Sequence, residues 1–423
     1  MRTRHPVLRL LALTALPALL FSACSLAGSE PAEPAGVEAA APSSDVPRAD
    51  PEQGDAPLVP EAAAGEADPG SEGQPAETSS EQVPPEQSAP TDAPADSFPA
   101  SLGPDQYPEG VNPLTGLPVS DPSVLKDCPL LVAVSNFPPS SRRSLSGLSV
   151  AAQVWETFIG EGMTRYLAVF YGDYAEQLNG ILANPLVDGS NFAIGPVRSG
   201  RVAFEDIKML FPGATLVTAG ASPEVAEQLT GVQTAYGSDP ENISSAGLEA
   251  SDLGGLPCRH GKPPSLAGLA FDPASPAGGD SAEFLRIVYN TFNQVGWEYD
   301  PAQGAYLRAQ DKADGSGTLY PTLENLTGGQ LAFENVLVLF ADHHFVKPTI
   351  IEINLMFVEQ HRGLLFRDGL VFPVTWSTLR GELRLMDGQG NPLPLKPGQT
   401  FLEVVSYQTT WNPDSHIIRY HNP

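Results

Sequence analysis

Cysteine, histidine and basic side chains are the scarce residues of this 423-residue chain. Three cysteines exclude a disulfide-dense scaffold and any four-cysteine zinc site. The seven histidines show no His-x-x-x-His spacing. His343 and His344 are adjacent in a predicted strand and so face opposite sides, which leaves no metal site expected. Lysine and arginine total 23 against 50 acidic residues, for a net charge of −27. That balance excludes the counterion displacement on which non-specific nucleic-acid binding rests, so no nucleic-acid partner is expected. No Gly-x-Gly-x-x-Gly, phosphate loop or Gly-x-Ser-x-Gly elbow occurs, and no cofactor is expected. A catalytic Cys-His arrangement is also missing, which disfavours a cysteine-dependent transpeptidase.

What is present begins with an address. Arg2 and Arg4 precede an apolar run from Leu10 to Leu20, broken by Thr14 and Pro17. The run is shorter than the roughly 20 apolar residues a membrane span needs and matches a signal-peptide core. Phe21-Ser22-Ala23-Cys24 closes it and resembles the bacterial lipobox, with Phe21 where Leu is usual. Residues 1–23 are therefore expected to be a lipoprotein signal peptide. Cys24 becomes the lipid-bearing N-terminus and holds the chain on the extracytoplasmic face of a bacterial membrane. The alternative is an ordinary secretory signal with an unmodified Cys24.

Residues 24–110 form the next segment, rich in Pro, Ala and Glu. From 25 to 110 there are 18 acidic side chains and one basic one, Arg48, and the first aromatic residue is Phe98. Such a stretch cannot bury enough apolar surface to offset the entropy of ordering, so a disordered acidic tether is expected. The remaining residues, 111–423, carry −13 and have a globular composition.

Leu130–Val134, Thr164–Tyr171 and Ala214–Thr218 read as strands. Ser199–Leu210 and the segment after Ser222-Pro223 read as helices, the second with Ser222 as N-cap. Asp280–Gln294 also reads as an amphipathic helix, through Phe284, Leu285, Ile287, Val288, Thr291 and Phe292. Further on, Asn335–Phe340, Thr349–Val358, Glu382–Met386 and Thr400–Ser406 read as strands, and Asp368-Gly369 as a two-residue hairpin turn between two more. The fold class expected is α+β. An α/β-like N-terminal module at 111–335, with helices against a mixed sheet, precedes a β-rich C-terminal module at 336–423.

Several separated motifs occur in order. They are Asn112-Pro113-Leu114-Thr115-Gly116-Leu117, Ser135-Asn136, Ser146-Gly147-Leu148, Val154-Trp155-Glu156 and Glu161-Gly162-Met163-Thr164-Arg165-Tyr166-Leu167. Gly195-Pro196-Val197-Arg198-Ser199-Gly200-Arg201, Ala219-Gly220-Ala221-Ser222-Pro223, Val374-Thr375-Trp376-Ser377 and Leu395-Lys396-Pro397-Gly398-Gln399-Thr400 follow. On these motifs the head resembles the YerB-like lipoprotein family, domain of unknown function 3048, over nearly all of 111–410. The resemblance implies an extracytoplasmic lipoprotein with two modules and supplies no activity. Where family members often carry Pro-His-Asn, this chain has Lys262-Pro263-Pro264-Ser265.

The densest polar constellation is Asn136, Arg143, Glu156, Glu161, Arg165, Arg198, Ser199, Arg201 and Ser222. Several of these follow a predicted strand or precede a predicted helix, where open α/β sheets gather ligands. Arg198 and Arg201 would hold a carboxylate or phosphate by guanidinium forks. The same residues also suit buried Arg–Glu pairs that pin loops to the sheet. Both arrangements stay open at this point. Cys128 and Cys258, each beside a proline, either form a disulfide or remain thiols. The function expected is a membrane-anchored binding or scaffold protein of the cell envelope, with an envelope protein or a small anionic ligand as partner. The alternative is an envelope hydrolase or transferase with Glu156 or Glu161 as acid or base.

Overall fold

The computed structural model of the protein describes residues 101–187, 192–239, 241–253 and 265–423. The expected signal peptide, Cys24, nearly all of the tether and Cys258 lie outside them. Cys128 is disulfide-bonded. No described helix is long and apolar enough to cross a membrane.

The strands, in chain order, begin with β1 (Leu130–Val134), β2 (Gln153–Gly160), β3 (Met163–Phe170), β4 (Thr215–Thr218) and β5 (Val232–Thr234). Then come β6 (Asp280–Ser281), β7 (Phe284–Asn290), β8 (Asn293–Asp300), β9 (Ala305–Gln310), β10 (Tyr320–Pro321) and β11 (Ala332–Phe333). The last part holds β12 (Asn335–Ala341), β13 (His343–Lys347), β14 (Ile350–Ile353), β15 (His361–Arg367), β16 (Leu370–Ser377) and β17 (Arg384–Met386). It ends with β18 (Thr400–Ser406), β19 (Thr410–Asn412) and β20 (Ile417–Arg419). The α-helices among the described residues are short: α1 (Tyr174–Leu182), α2 (Ala203–Met209) and α3 (Pro223–Ala226). Mixed sheets therefore dominate the described residues.

The main sheet has 11 strands in the order β17-β16-β15-β12-β18-β2-β3-β1-β4-β5, with β6 beside β16. Its centre is the parallel pair β2 and β18, both buried along their whole length. That pairing sets Gln153 against Thr400 and Glu156 against Glu403. One sheet thus runs from the N-terminal segment into the C-terminal one. A second sheet of seven strands has the order β10-β9-β8-β7-β20-β19, with β11 beside β9. It packs on the main sheet through aromatic contacts. Trp297 meets Phe401 at 4.7 Å between ring centroids, and Tyr306 meets Phe366 at 6.2 Å. Such edge-to-face contacts add roughly 0.5–1.5 kcal/mol each beyond the area they bury.

The segment expected as an amphipathic helix at 280–294 is instead strand β7 and the start of β8. Leu285, Ile287 and Tyr289 are buried while Phe284 and Phe292 are exposed, which is an alternation of period two. The helix expected over Ser199–Leu210 begins only at Ala203. Ser222 is the N-cap residue of α3, but its side chain makes no capping hydrogen bond. The Asp368-Gly369 turn forms between β15 and β16, with φ of 55° and 72°. Positive φ at both central residues matches the twist of a tight hairpin.

Candidate functional site

Strand β3 divides the polar constellation between the two faces of the main sheet. Successive strand residues point to opposite faces. Thr164 and Tyr166 turn toward the second sheet, and Arg165 turns away from it.

On the first face a row of three neighbours crosses β18, β2 and β3: Glu403, Glu156 and Tyr166. Arg308 of β9 lies over this row from the second sheet. Its Nη2 donates to Glu156 Oε2 at 2.8 Å, and both side chains are fully buried. The other Glu156 oxygen accepts from Asn136 Nδ2 at 2.9 Å and Thr164 Oγ1 at 2.5 Å. Tyr166 donates its hydroxyl to Asn136 Oδ1 at 2.9 Å. Arg308 Nη1 donates to Gln310 and Thr322, both at 3.0 Å, and the guanidinium stands over the rings of Tyr166, Trp297 and Phe401. Burial opposes the Arg308 charge, but Tyr166, Glu156 and Glu403 outweigh it and hold the pKa above the ordinary arginine value. Glu403 accepts from Tyr289 at 2.8 Å and from Trp297 at 3.0 Å. Burial, then the charge of Glu156, push its carboxyl up to about 8.

The second face holds a different arrangement. Val197 bridges Val134, and Arg198 donates its backbone N–H to Ala133. Gly200 donates to Gly220, just past the end of β4. Residues 198–201 therefore lie at the carboxyl ends of the parallel strands β1 and β4, where ligands gather on open sheets. Arg165 sits beside them and donates Nη1 to the Ser199 carbonyl at 3.1 Å. Arg201 Nη1 donates to the carbonyls of Gly200 at 2.8 Å and Ser199 at 3.4 Å, and Arg198 Nη1 to the carbonyl of Ile243 at 2.9 Å. Among the described residues no carboxylate forms an ion pair with any of the three. The Nε of each is sealed from solvent without a hydrogen-bond partner. Burial, then Arg201 and Arg198, drive the Arg165 pKa well below the ordinary arginine value. Burial, then Arg198, bring Arg201 down to about 10, and burial lowers Arg198 as well.

The nine residues expected to share a site thus separate into groups. Arg165, Arg198, Ser199 and Arg201 come together, with Ser199 contributing its carbonyl. Asn136 and Glu156 belong to the buried network on the other face. Glu161 stands at an exposed turn with φ of 54°, between Gly160 and Gly162. Gly162 has φ of 77°, in the left-handed region that favours glycine. Ser222 is exposed at the start of α3. Arg143 is exposed in a separate cleft beside Arg142 and Lys312. Arg308 and Glu403 escaped the sequence reading. Their signal was an ionisable residue inside an otherwise apolar strand, as at Glu403 within Thr400–Ser406.

Two models of one family match the chain. The N-terminal domain of a protein of unknown function, DUF3048, matches residues 114–245, and the C-terminal domain of the same family matches residues 285–402. The chain belongs to this family. The two matches cover β1–β5 on one side and most of the strands from β7 to β18 on the other. The fold is similar to the crystal structure of YerB protein from Bacillus subtilis, at 24% identity and a TM-score of 0.53. The likeness covers 70% of this chain and 96% of the Bacillus one. No curated protein matches the chain.

Proposed function

We propose that this family member is a lipid-anchored extracytoplasmic lipoprotein whose folded head binds an anionic ligand or partner group at Arg165, Arg198 and Arg201. The observation that carries the reading is the set of three neighbouring guanidiniums with no carboxylate partner among the described residues, one of them buried. Gathering like charges in a low-dielectric place costs free energy unless an opposite charge joins them. An anion held by these forks would relieve the repulsion and supply the missing hydrogen-bond acceptors. The anchor rests on Arg2, Arg4, the apolar run and Cys24.

Inorganic sulfate is a suitable probe. Wild-type protein should gain about 2 °C or more in Tm at millimolar sulfate relative to chloride of equal ionic strength. Arg198→Ala/Arg201→Ala should fold and lose that gain. An equal gain in the variant would defeat the reading. Loss of folding in the variant would mark the two arginines as structural instead. The acid–base alternative gains no support from the geometry. Glu156 is consumed by Arg308, Asn136 and Thr164 in a fully buried network, and Glu161 stands apart from it on an exposed turn.

A further inference from the structure

A second cationic place lies in a cleft of about 550 Å³ between the turn after β1 and the strands β9 and β10. This volume is within the range of small-molecule sites. Arg142, Arg143 and Lys312 line it, and none of them forms an ion pair among the described residues. Two acidic residues line it as well; Glu324 is held by backbone N–H groups, and Asp311, whose Oδ2 is sealed without a hydrogen-bond partner, acts on the charge of Arg142. Glu324 accepts from the backbone N–H groups of Gly147 at 3.0 Å and Ser149 at 3.1 Å, and Asp311 accepts from that of Ala313 at 3.3 Å.

Arg142 is fixed in place. Its Nη1 donates to the Asp311 carbonyl at 2.7 Å, its guanidinium stands 5.5 Å from the Phe137 ring centroid, and its Nη2 is sealed without a partner. Lys312 places its ammonium 3.6 Å from the Tyr320 ring centroid. Beside these cations the rim is apolar, with Leu323 52% exposed and Tyr320 38% exposed. The protein is strongly acidic overall, so three unpaired cations facing one concave space run against its composition.

We propose that this cleft binds an organic phosphate, with Arg143 and Lys312 on the phosphate and Leu323 and Tyr320 against its organic substituent. Several cations on one group suit a doubly charged tetrahedral head better than a single carboxylate. The apolar rim suits a substituted phosphate better than the free ion. A soluble phosphate ester and a phospholipid headgroup share this chemistry. The site is independent of the arginine cluster on the main sheet, because it involves none of its residues.

The test uses the full chain with Cys24→Ser, so that no acyl chain contributes. Calorimetric titration with glycerol 3-phosphate should give a Kd below about 1 mM, the affinity of a −4.1 kcal/mol interaction. Arg143→Ala/Lys312→Ala should weaken it at least tenfold, whereas Arg198→Ala/Arg201→Ala should leave it unchanged. Both Arg143 and Lys312 are exposed, so the double variant should fold, and Leu323→Ser gives a second, uncharged probe of the rim. Cosedimentation with phosphatidic acid vesicles, set against phosphatidylcholine vesicles, forms the other arm. Vesicle binding that needs Arg143 and Lys312, without binding of the soluble ester, assigns the lipid source. Titration without vesicle binding assigns the soluble one. Succinate binding as tightly as glycerol 3-phosphate overturns the proposal. So does the absence of both phosphate responses, or their survival in Arg143→Ala/Lys312→Ala.

Discussion

Arg308 and Arg165 are both almost fully buried, yet their environments are opposite. Arg308 has a carboxylate at 2.8 Å, two further side-chain acceptors and three aromatic rings around it. Arg165 has one carbonyl and two other arginines, and each of the two buried guanidiniums leaves its Nε without a partner. The pKa of the first is held up and that of the second is pushed down. Burial is common to both, so the difference comes from what each guanidinium was given to pair with. A guanidinium completed by a carboxylate belongs to the architecture that joins the two sheets. An arginine left without a carboxylate at the strand ends is what the proposed anion site rests on.

The largest expected effect breaks the complete side. Arg308→Met strands Glu156 as a buried charge without its counter-ion. Removing one partner of a buried pair costs about 3–5 kcal/mol. Urea unfolding should show a matching loss of stability with little change in the native spectrum of any population that remains folded. A loss below about 1 kcal/mol would mean that the Arg308–Glu156 pair does not hold the sheets together.

The next effect is a slope with pH. Glu403 keeps its proton up to about 8 in the folded state, whereas an unfolded glutamate releases it near about 4.3. Between those values the native state binds more protons than the unfolded one, so the Glu403 contribution to stability is full at low pH and is lost as pH rises toward 8. The slope for one such group is at most about 1.4 kcal/mol per pH unit. Glu403→Gln keeps the shape and removes the titration. Its stability should therefore change less between pH 5 and 8 than that of the wild type, as followed by chemical denaturation at each pH. Equal slopes would place the titrating group elsewhere.

Sequence and structure diverge for a physical reason that the same comparison exposes. The strands β1, β3, β12 and β18 were legible because each is a mainly apolar or β-branched run between turn residues, broken only by a single ionisable residue in β3 and in β18. Strand β7 was not. In Phe284–Phe292 the apolar residues satisfy a helical spacing and a strand spacing together, and only cross-strand pairing with β8 decides between them. Losing β7 as a strand hid the second sheet, and with it the side chains that meet Glu156. The arginines 165, 198 and 201 were found because they sit near strand ends and turns that local sequence marks. Arg308 lies 152 residues from Glu156, and nothing local connects the two.

The smallest expected effect tests the incomplete side directly. Arg165→Met replaces a poorly satisfied buried charge with an apolar chain of similar length. Exchanges of this kind are often neutral or stabilising, here by about 1 kcal/mol, because the repulsion from Arg198 and Arg201 disappears with the charge. That gain in the absence of anions should come with a smaller rise in Tm on adding sulfate, since one of three forks is gone. A loss of 3 kcal/mol or more would put Arg165 in the same class as Arg308. The two faces of the sheet would then differ in their partners but not in their purpose.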